Sequence, residues 1–379
     1  MPDKLELSDA KRALLEKYLR EGRPRTKEAT GGSIQRNKAE VADPREQVVT
    51  IQDGGSKRPF FFLQGDWIFG AYWCFPLARG LGSDQPFYTL EPYRFNDLGV
   101  LPLFEAIAAA HIESLRAVQP EGPYMLGGFC NGGLVAYEMA RQLYAQGERV
   151  ELLVLMDPMG LVYPARDRLI SSVVNRLGGL LSLGQDKRLY YFLWLHHVYR
   201  YLQHIYRYLR FPHYRRLKTE LDPQRVNACG GTILTLKTLY ELKLGQDAAG
   251  LKAEEQIGPG FKGERVGFAL PKLDSIFPDP IFPTAEAMSK DYPAIYDWVA
   301  MHFKPSSLYP GKITFFWDSE EWDNEKPFRR ARWRKVAEAN EVDVHVIAGT
   351  QSSCRTVHLH VLAEHLSACL NKVQAAKSG

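Results

Sequence analysis

Short apolar runs bounded by Gly, Pro or Asp recur along the chain, and helical spacing fills several of the gaps between them. Residues 48–51 and 59–63 (PFFFL) read as a strand pair entering a buried sheet, because apolar aromatic runs next to Gly suit strands covered on both faces. Residues 124–127 (YMLG) predict a further strand, and 150–156 (VELLVLM) another that ends at Asp157-Pro158. Between them, residues 133–146 carry Leu134, Tyr137, Met139 and Leu143 for the buried side of a helix. Residues 313–317 (ITFFW) and 342–347 (VDVHVI) predict two more strands with a helix between, and 357–370 a last helix. Strands alternating with helices imply an α/β fold, a mainly parallel sheet covered on both faces.

The alternation stops between residues 159 and 310, where Tyr, Arg and Leu dominate and several helices with loops are predicted. An interruption between two core strands reads as a lid. Within it Tyr191, Leu195, Val198, Leu202, Ile205 and Leu209 follow one helical face, the pattern of a helix packed on its own domain. Asp186 is the only acid from residue 185 to 218, against eight Lys and Arg, so a basic surface for an acidic partner is the second reading. At the other end, residues 7–20 carry Leu and Tyr at helical spacing after a Ser-Asp start, followed by a Gly- and Lys-rich tract without periodicity. The expected division is a helix and linker (1–45), a first core part (46–158), a helical lid (159–310) and a second core part (311–379).

Composition fits this picture. Of 379 residues 45% are hydrophobic and 24% charged, enough apolar surface to fold, and a net charge of +4 gives no general bias toward nucleic acid. Cys74, Cys130, Cys229, Cys354 and Cys369 are an odd number without metal-site spacing, and no signal-type apolar core opens the chain. A cytoplasmic setting and no bound metal are the expectation. The most apolar long stretch, residues 189–209, holds His196, His197, Arg200, His204 and Arg207, too many polar groups for a bilayer core. No membrane insertion is expected.

The chemistry concentrates at Gly128-Phe129-Cys130-Asn131-Gly132, between a short buried strand and an amphipathic helix. This is a nucleophile elbow of the α/β-hydrolase kind with Cys in place of Ser. Glycine is needed two residues before and two after the nucleophile, since a side chain there would strike the neighbouring strand or helix. The helix start also aims backbone N–H groups at the nucleophile, which favours a thiolate and later an oxyanion.

With these residues in view the sequence resembles the type I thioesterase domains that end polyketide and nonribosomal peptide assembly lines. The resemblance runs through residues 59–82 (PFFFLQGDWIFGAYWCFPLARGLG), 121–143 (EGPYMLGGFCNGGLVAYEMARQL), 151–158 (ELLVLMDP), 309–317 (YPGKITFFW) and 349–366 (GTQSSCRTVHLHVLAEHL). It implies an α/β-hydrolase fold and an acid partner at Asp157, with Asp318 as the alternative place used by many other α/β-hydrolases. It implies oxyanion N–H groups from Asn131 and from the Gly65-Asp66-Trp67 turn. It also implies a carrier protein as partner, its phosphopantetheine arm bearing a small-molecule acyl substrate, and no cofactor of the enzyme's own.

One departure stands out. Where the family places its general base, in a G-x-H pattern behind the last strand, this chain reads Gly349-Thr350-Gln351. A glutamine cannot take up and return a proton at neutral pH. Gln64 likewise stands where a His-Gly pair often begins the oxyanion turn. Loss of the base, a site relying on thiolate nucleophilicity alone, or substitution by His358 or His360 from on or beside the last helix are the three explanations. An acyl group on Cys130 would remain a thioester, keeping transfer potential for hydrolysis, lactonisation or amide formation. A catalytically impaired relative that binds a carrier partner, and a generic carboxylesterase or lipase, are the competing functions.

Overall fold

The computed structural model describes residues 47–65, 73–91, 93, 103–159, 165–210, 288, 291–324, 329–351 and 353–375. The expected N-terminal helix and linker, and residues 211–287 of the expected lid, lie outside the described residues.

Among the described residues, seven strands form one sheet: β1 (Val48–Gln52), β2 (Phe60–Leu63), β3 (Phe87–Leu90), β4 (Tyr124–Phe129), β5 (Val150–Met156), β6 (Ile313–Asp318) and β7 (Val342–Ile347). Their spatial order is β1-β3-β2-β4-β5-β6-β7. The sheet is parallel from β3 to β7, while β1 runs antiparallel on the edge. The mainly parallel α/β sheet is therefore as expected, with one correction. β1 and β2 do not pair with each other; β3 lies between them. Its four residues FYTL are too short a run to announce a strand, and pairing on both sides is what makes it one.

The helices are α1 (Cys74–Gly80), α2 (Phe104–Val118), α3 (Asn131–Ala145), α4 (Ala165–Leu180), α5 (Gln185–Arg210), α6 (Tyr292–Met301), α7 (Ser319–Asp323), α8 (Arg334–Ala339) and α9 (Leu359–Ala375). Helices α1 and α9 cover one face of the sheet, and α2, α3 and α6 cover the other. The run PFFFL shows why both faces must be covered: Phe60 and Phe62 join the cluster under α1 and α9, and Phe61 joins the opposite one. At about 25 cal/mol per Å² of apolar surface, a fully buried Phe contributes about 2–3 kcal/mol.

Residues 165–180 and 185–210 are helical, but α5 packs through a different face from the one its spacing suggested. Leu189, Phe192, Leu193 and His197 are buried, whereas Tyr191, Leu202 and Leu209 are 47%, 57% and 71% exposed. Helical period alone does not say which of two adjacent apolar stripes meets the core. Among the described residues, no helix is long and apolar enough to cross a membrane.

Candidate active site

β4 and β5 are adjacent and parallel, so their carboxyl ends deliver Cys130 and Asp157 side by side at one edge of the sheet. Cys130 has φ 53° and ψ −120°, a conformation that an L-residue holds only under constraint and at a cost of about 1–3 kcal/mol. The constraint is visible. Its N–H donates to Met156 O at 3.0 Å, and its carbonyl accepts from Met159 N at 2.9 Å and from Gly133 N at 3.2 Å.

The glycines of the elbow are there for want of space. A Cβ on Gly128 would lie 2.3 Å from the Gly132 carbonyl oxygen, and one on Gly132 would lie 2.0 Å from the Leu63 oxygen. On Gly65 it would lie 2.2 Å from Phe129 O and 2.6 Å from Asn131 N. The chain leaving β2 is therefore pressed against the first amide of α3, which places the backbone of Gly65 beside the Asn131 N–H. Asp66 and Trp67, the expected continuation of the oxyanion turn, lie outside the described residues.

Asp157 also has a positive φ, 40°, and is buried. Its N–H donates to Phe316 O at 2.8 Å, and its Oδ1 accepts from Asp318 N at 3.0 Å. Its Oδ2 lies 3.8 Å from Cys354 Sγ, a thiol donor. Arg329 reaches Oδ1 at 3.8 Å, contacts Asp318 Oδ2 directly and stands 3.6 Å from Glu321. Burial raises the Asp157 carboxyl to about 7, with the Arg329 charge pulling it down and Asp318 pushing it up. Asp318, the alternative acid, is already engaged: its Oδ1 caps α7 through Glu321 N at 2.8 Å.

Gln351 is half-buried in the loop after β7. Gly349, with φ 92°, turns the chain there, tied to the end of β6 by its N–H to Ser319 Oγ at 2.9 Å. The Gln351 carbonyl accepts from Cys354 Sγ at 3.3 Å and from Arg355 Nε at 3.0 Å. Cys354 thus spans the two halves, its single thiol hydrogen within reach of both Asp157 Oδ2 and Gln351 O. The buried Arg355 guanidinium lies 4.2 Å over the ring of Phe129, the residue before Cys130. His358 belongs to the turn before α9 rather than to the helix, while His360 sits in the first turn of α9. A Cβ on Gly349 would meet the His358 ring at 3.1 Å.

Sequence reasoning missed Arg329, Cys354 and Arg355. Arg329 is 172 residues from Asp157 along the chain (329 − 157), and no local pattern could join them. Cys354 follows Gln351 by three residues, the spacing of one turn, which was the available signal. The other cysteines separate by environment. Cys74 opens α1 but is fully buried, and burial pushes the thiols of Cys74 and Cys354 far up. Cys369 is half-buried and its thiol is raised by the same cause. Cys229 lies outside the described residues.

A mainly parallel sheet with a glycine-packed strand-to-helix turn at its carboxyl edge and a carboxyl group on the next strand has the architecture of the α/β-hydrolase fold. Residues 66–176 match the thioesterase domain family, the family that the sequence resembles. Among curated relatives, the non-reducing polyketide synthase crz7 of Cladonia metacorallifera is 39% identical over 125 residues, 32% of this chain and 6% of that protein. The polyketide synthase PksR of Bacillus subtilis (strain 168) is 37% identical over 112 residues, 29% of this chain and 4% of that protein. The match thus spans only a small part of those relatives. Among solved structures, the NocB thioesterase domain, in covalent complex with a fluorophosphonate nocardicin G analog, aligns with 86% of this chain and 99% of that one. Identity there is 18% and the TM-score 0.43.

Proposed function

We propose that this chain accepts an acyl, peptidyl or polyketide chain from the phosphopantetheine arm of a carrier protein onto Cys130 and passes it to a final acceptor. The observation that carries this reading is the strained Cys130 backbone at the head of α3, beside the Gly65 and Asn131 backbone. In the step proposed, Cys130 Sγ attacks the thioester carbonyl, and the oxyanion is met by backbone N–H groups at the helix start. Collapse of the tetrahedral intermediate expels the pantetheine thiolate, which takes up a proton, and leaves an acyl thioester on Cys130. Water, or a hydroxyl or amine, then attacks that thioester to give hydrolysis, lactonisation or amide formation. Relatives that match this chain include polyketide synthases and a dimodular nonribosomal peptide synthase, which supports a carrier-bound substrate.

Gln351 favours a second reading, a relative that loads or binds a carrier partner without efficient turnover. The acid end supports it: Asp157 accepts from Asp318 N–H, lies beside Arg329, and has the Cys354 thiol against its other oxygen. A carboxylate so engaged orients nothing unless a base is supplied. Intact-protein mass spectrometry during incubation with an acyl-pantetheine thioester tests both. A persistent adduct of one acyl mass means loading without release; free pantetheine in excess of protein means turnover. An unmodified protein with no thiol release would refute both the acyl-enzyme and the slow-loading reading.

A further inference from the structure

Away from the elbow, α4 and the end of α6 enclose an open cleft of about 420 Å³. Arg168, Ser171, Ser172, Asn175 and Arg176 line it, at positions i, i+3, i+4, i+7 and i+8 of α4, which share one helical face. His302 closes the far side. Among the described residues, no carboxylate lines the cleft. Two guanidinium groups two turns apart therefore face the cleft, with no carboxylate among the described residues that line it.

The neutral groups leave the Ser171 hydroxyl as a donor as well. His302 Nδ1 lies 2.6 Å from the Trp298 carbonyl, an acceptor, so Nδ1 carries the hydrogen and Nε2 accepts. The Asn175 amide nitrogen then donates to His302 Nε2 and to Ser171 Oγ, each at 3.3 Å. Ser171 accepts in that bond, which leaves its hydroxyl hydrogen for another acceptor. The Ser172 hydroxyl stands one residue on. Fork-shaped guanidinium donors with adjacent hydroxyls match the tetrahedral oxygens of a phosphate group, each arginine offering two parallel N–H bonds. The volume falls within the range of small-ligand clefts and exceeds what a bare ion needs.

We propose that this cleft is a binding site for a phosphate ester, held by Arg168 and Arg176 with Ser171 and Ser172. It stands apart from the acyl chemistry proposed at Cys130, and its test reads binding alone. The ester could be a free phosphate compound or the phosphate of a pantetheine arm, so the probes separate the two. Isothermal titration of the full chain should use inorganic phosphate, phosphopantetheine and pantetheine in parallel, at two chloride concentrations. Both phosphate-bearing probes should bind and pantetheine should not, with affinity falling as chloride rises. Affinity for phosphopantetheine at least tenfold above that for inorganic phosphate identifies the arm; equal affinities identify a free phosphate group as sufficient.

The Arg168→Gln and Arg176→Gln double variant should weaken both phosphate probes at least tenfold, and Arg168→Lys, which keeps charge but loses the fork, should weaken them severalfold. Arg334→Gln, at an exposed arginine of α8 that pairs with Glu338 on the same helix, should change nothing. Arg168 and Arg176 are both exposed, so the variants should keep the parental circular dichroism spectrum. Failure of the parental chain to bind either phosphate probe would overturn the proposal. So would undiminished binding by the double variant, or equal binding of pantetheine and phosphopantetheine.

Discussion

The Cys130 end and the Gln351 end of the candidate site are built by different means. At the elbow, the geometry is backbone packed on backbone: Gly65, Gly128 and Gly132 leave no room for one methyl group, and Cys130 is held in its strained conformation by main-chain hydrogen bonds. At the base end, side chains do the holding, with Arg329, Asp318 and Cys354 around Asp157 and Arg355 on the Gln351 carbonyl. A backbone device tolerates a change only at a large cost in stability. A side-chain network can exchange a member, such as an imidazole for an amide, and close around the new one. That difference explains how a chain can carry an intact elbow and no histidine at position 351.

The comparison is broken most severely at the nucleophile itself. Cys130→Ala should abolish acyl loading in the mass assay, and Cys130→Ser should load poorly, because a hydroxyl without a base has no accessible ionised form. An adduct mapped instead to Cys74, Cys229, Cys354 or Cys369 would overturn the assignment. Next in size is the base end. Gln351→His should raise thioester turnover by about 10²- to 10⁴-fold, the usual contribution of a positioned general base. The new ring needs Nδ1–H on Asp157 and Nε2 toward Cys130, and its arrival should also shift the pH profile of Cys130 alkylation to lower pH. Unchanged turnover and an unchanged alkylation profile would show that residue 351 does not face the nucleophile, and would direct attention to His358 and His360.

Packing gives the third contrast. Gly132→Ala places a methyl group against the Leu63 carbonyl and should cost about 3 kcal/mol in urea unfolding, the upper range for overpacking. Gln351→Ala, at a half-buried loop position, should cost less than about 1 kcal/mol. Equal losses would mean that the base loop is as rigidly determined as the elbow.

The smallest effect separates the two ends by pH. His111, on the helix that packs against the elbow helix, is fully buried and lowered to about 4 by that burial. Between about 4 and its unfolded value of 6.5 the unfolded chain binds the extra proton, so this group's contribution to stability is lost as pH falls through that window. Asp157 runs the other way. Raised from 3.8 to about 7, it binds its proton in the folded state, and its contribution is lost as pH rises through that interval. From pH 4 to about 6.5 the two contributions oppose each other, so denaturation midpoints should fall more steeply with rising pH in His111→Gln, and rise more steeply in Asp157→Asn, than in the parental chain. A change of slope in the same direction in both variants would refute the opposed signs.

Much of the α/β-hydrolase core could be read from local pattern, because a strand covered on both faces is written as an uninterrupted apolar run and a tight strand-to-helix turn is written in glycine. PFFFL, VELLVLM and Gly128-Phe129-Cys130-Asn131-Gly132 each carry their own explanation, and the absence of histidine at 351 was equally plain. What the sequence could not state is which distant segments meet. The placement of β3 between β1 and β2, the packing face of α5, the Arg329 bridge to Asp157 and Asp318, and the Cys354 thiol between Asp157 and Gln351 were all decided by tertiary structure. Periodicity and turn chemistry act over a few residues, so they are legible along the chain. Strand order and ion pairing depend on the closure of loops tens to hundreds of residues long, and only the folded sheet brings those ends together.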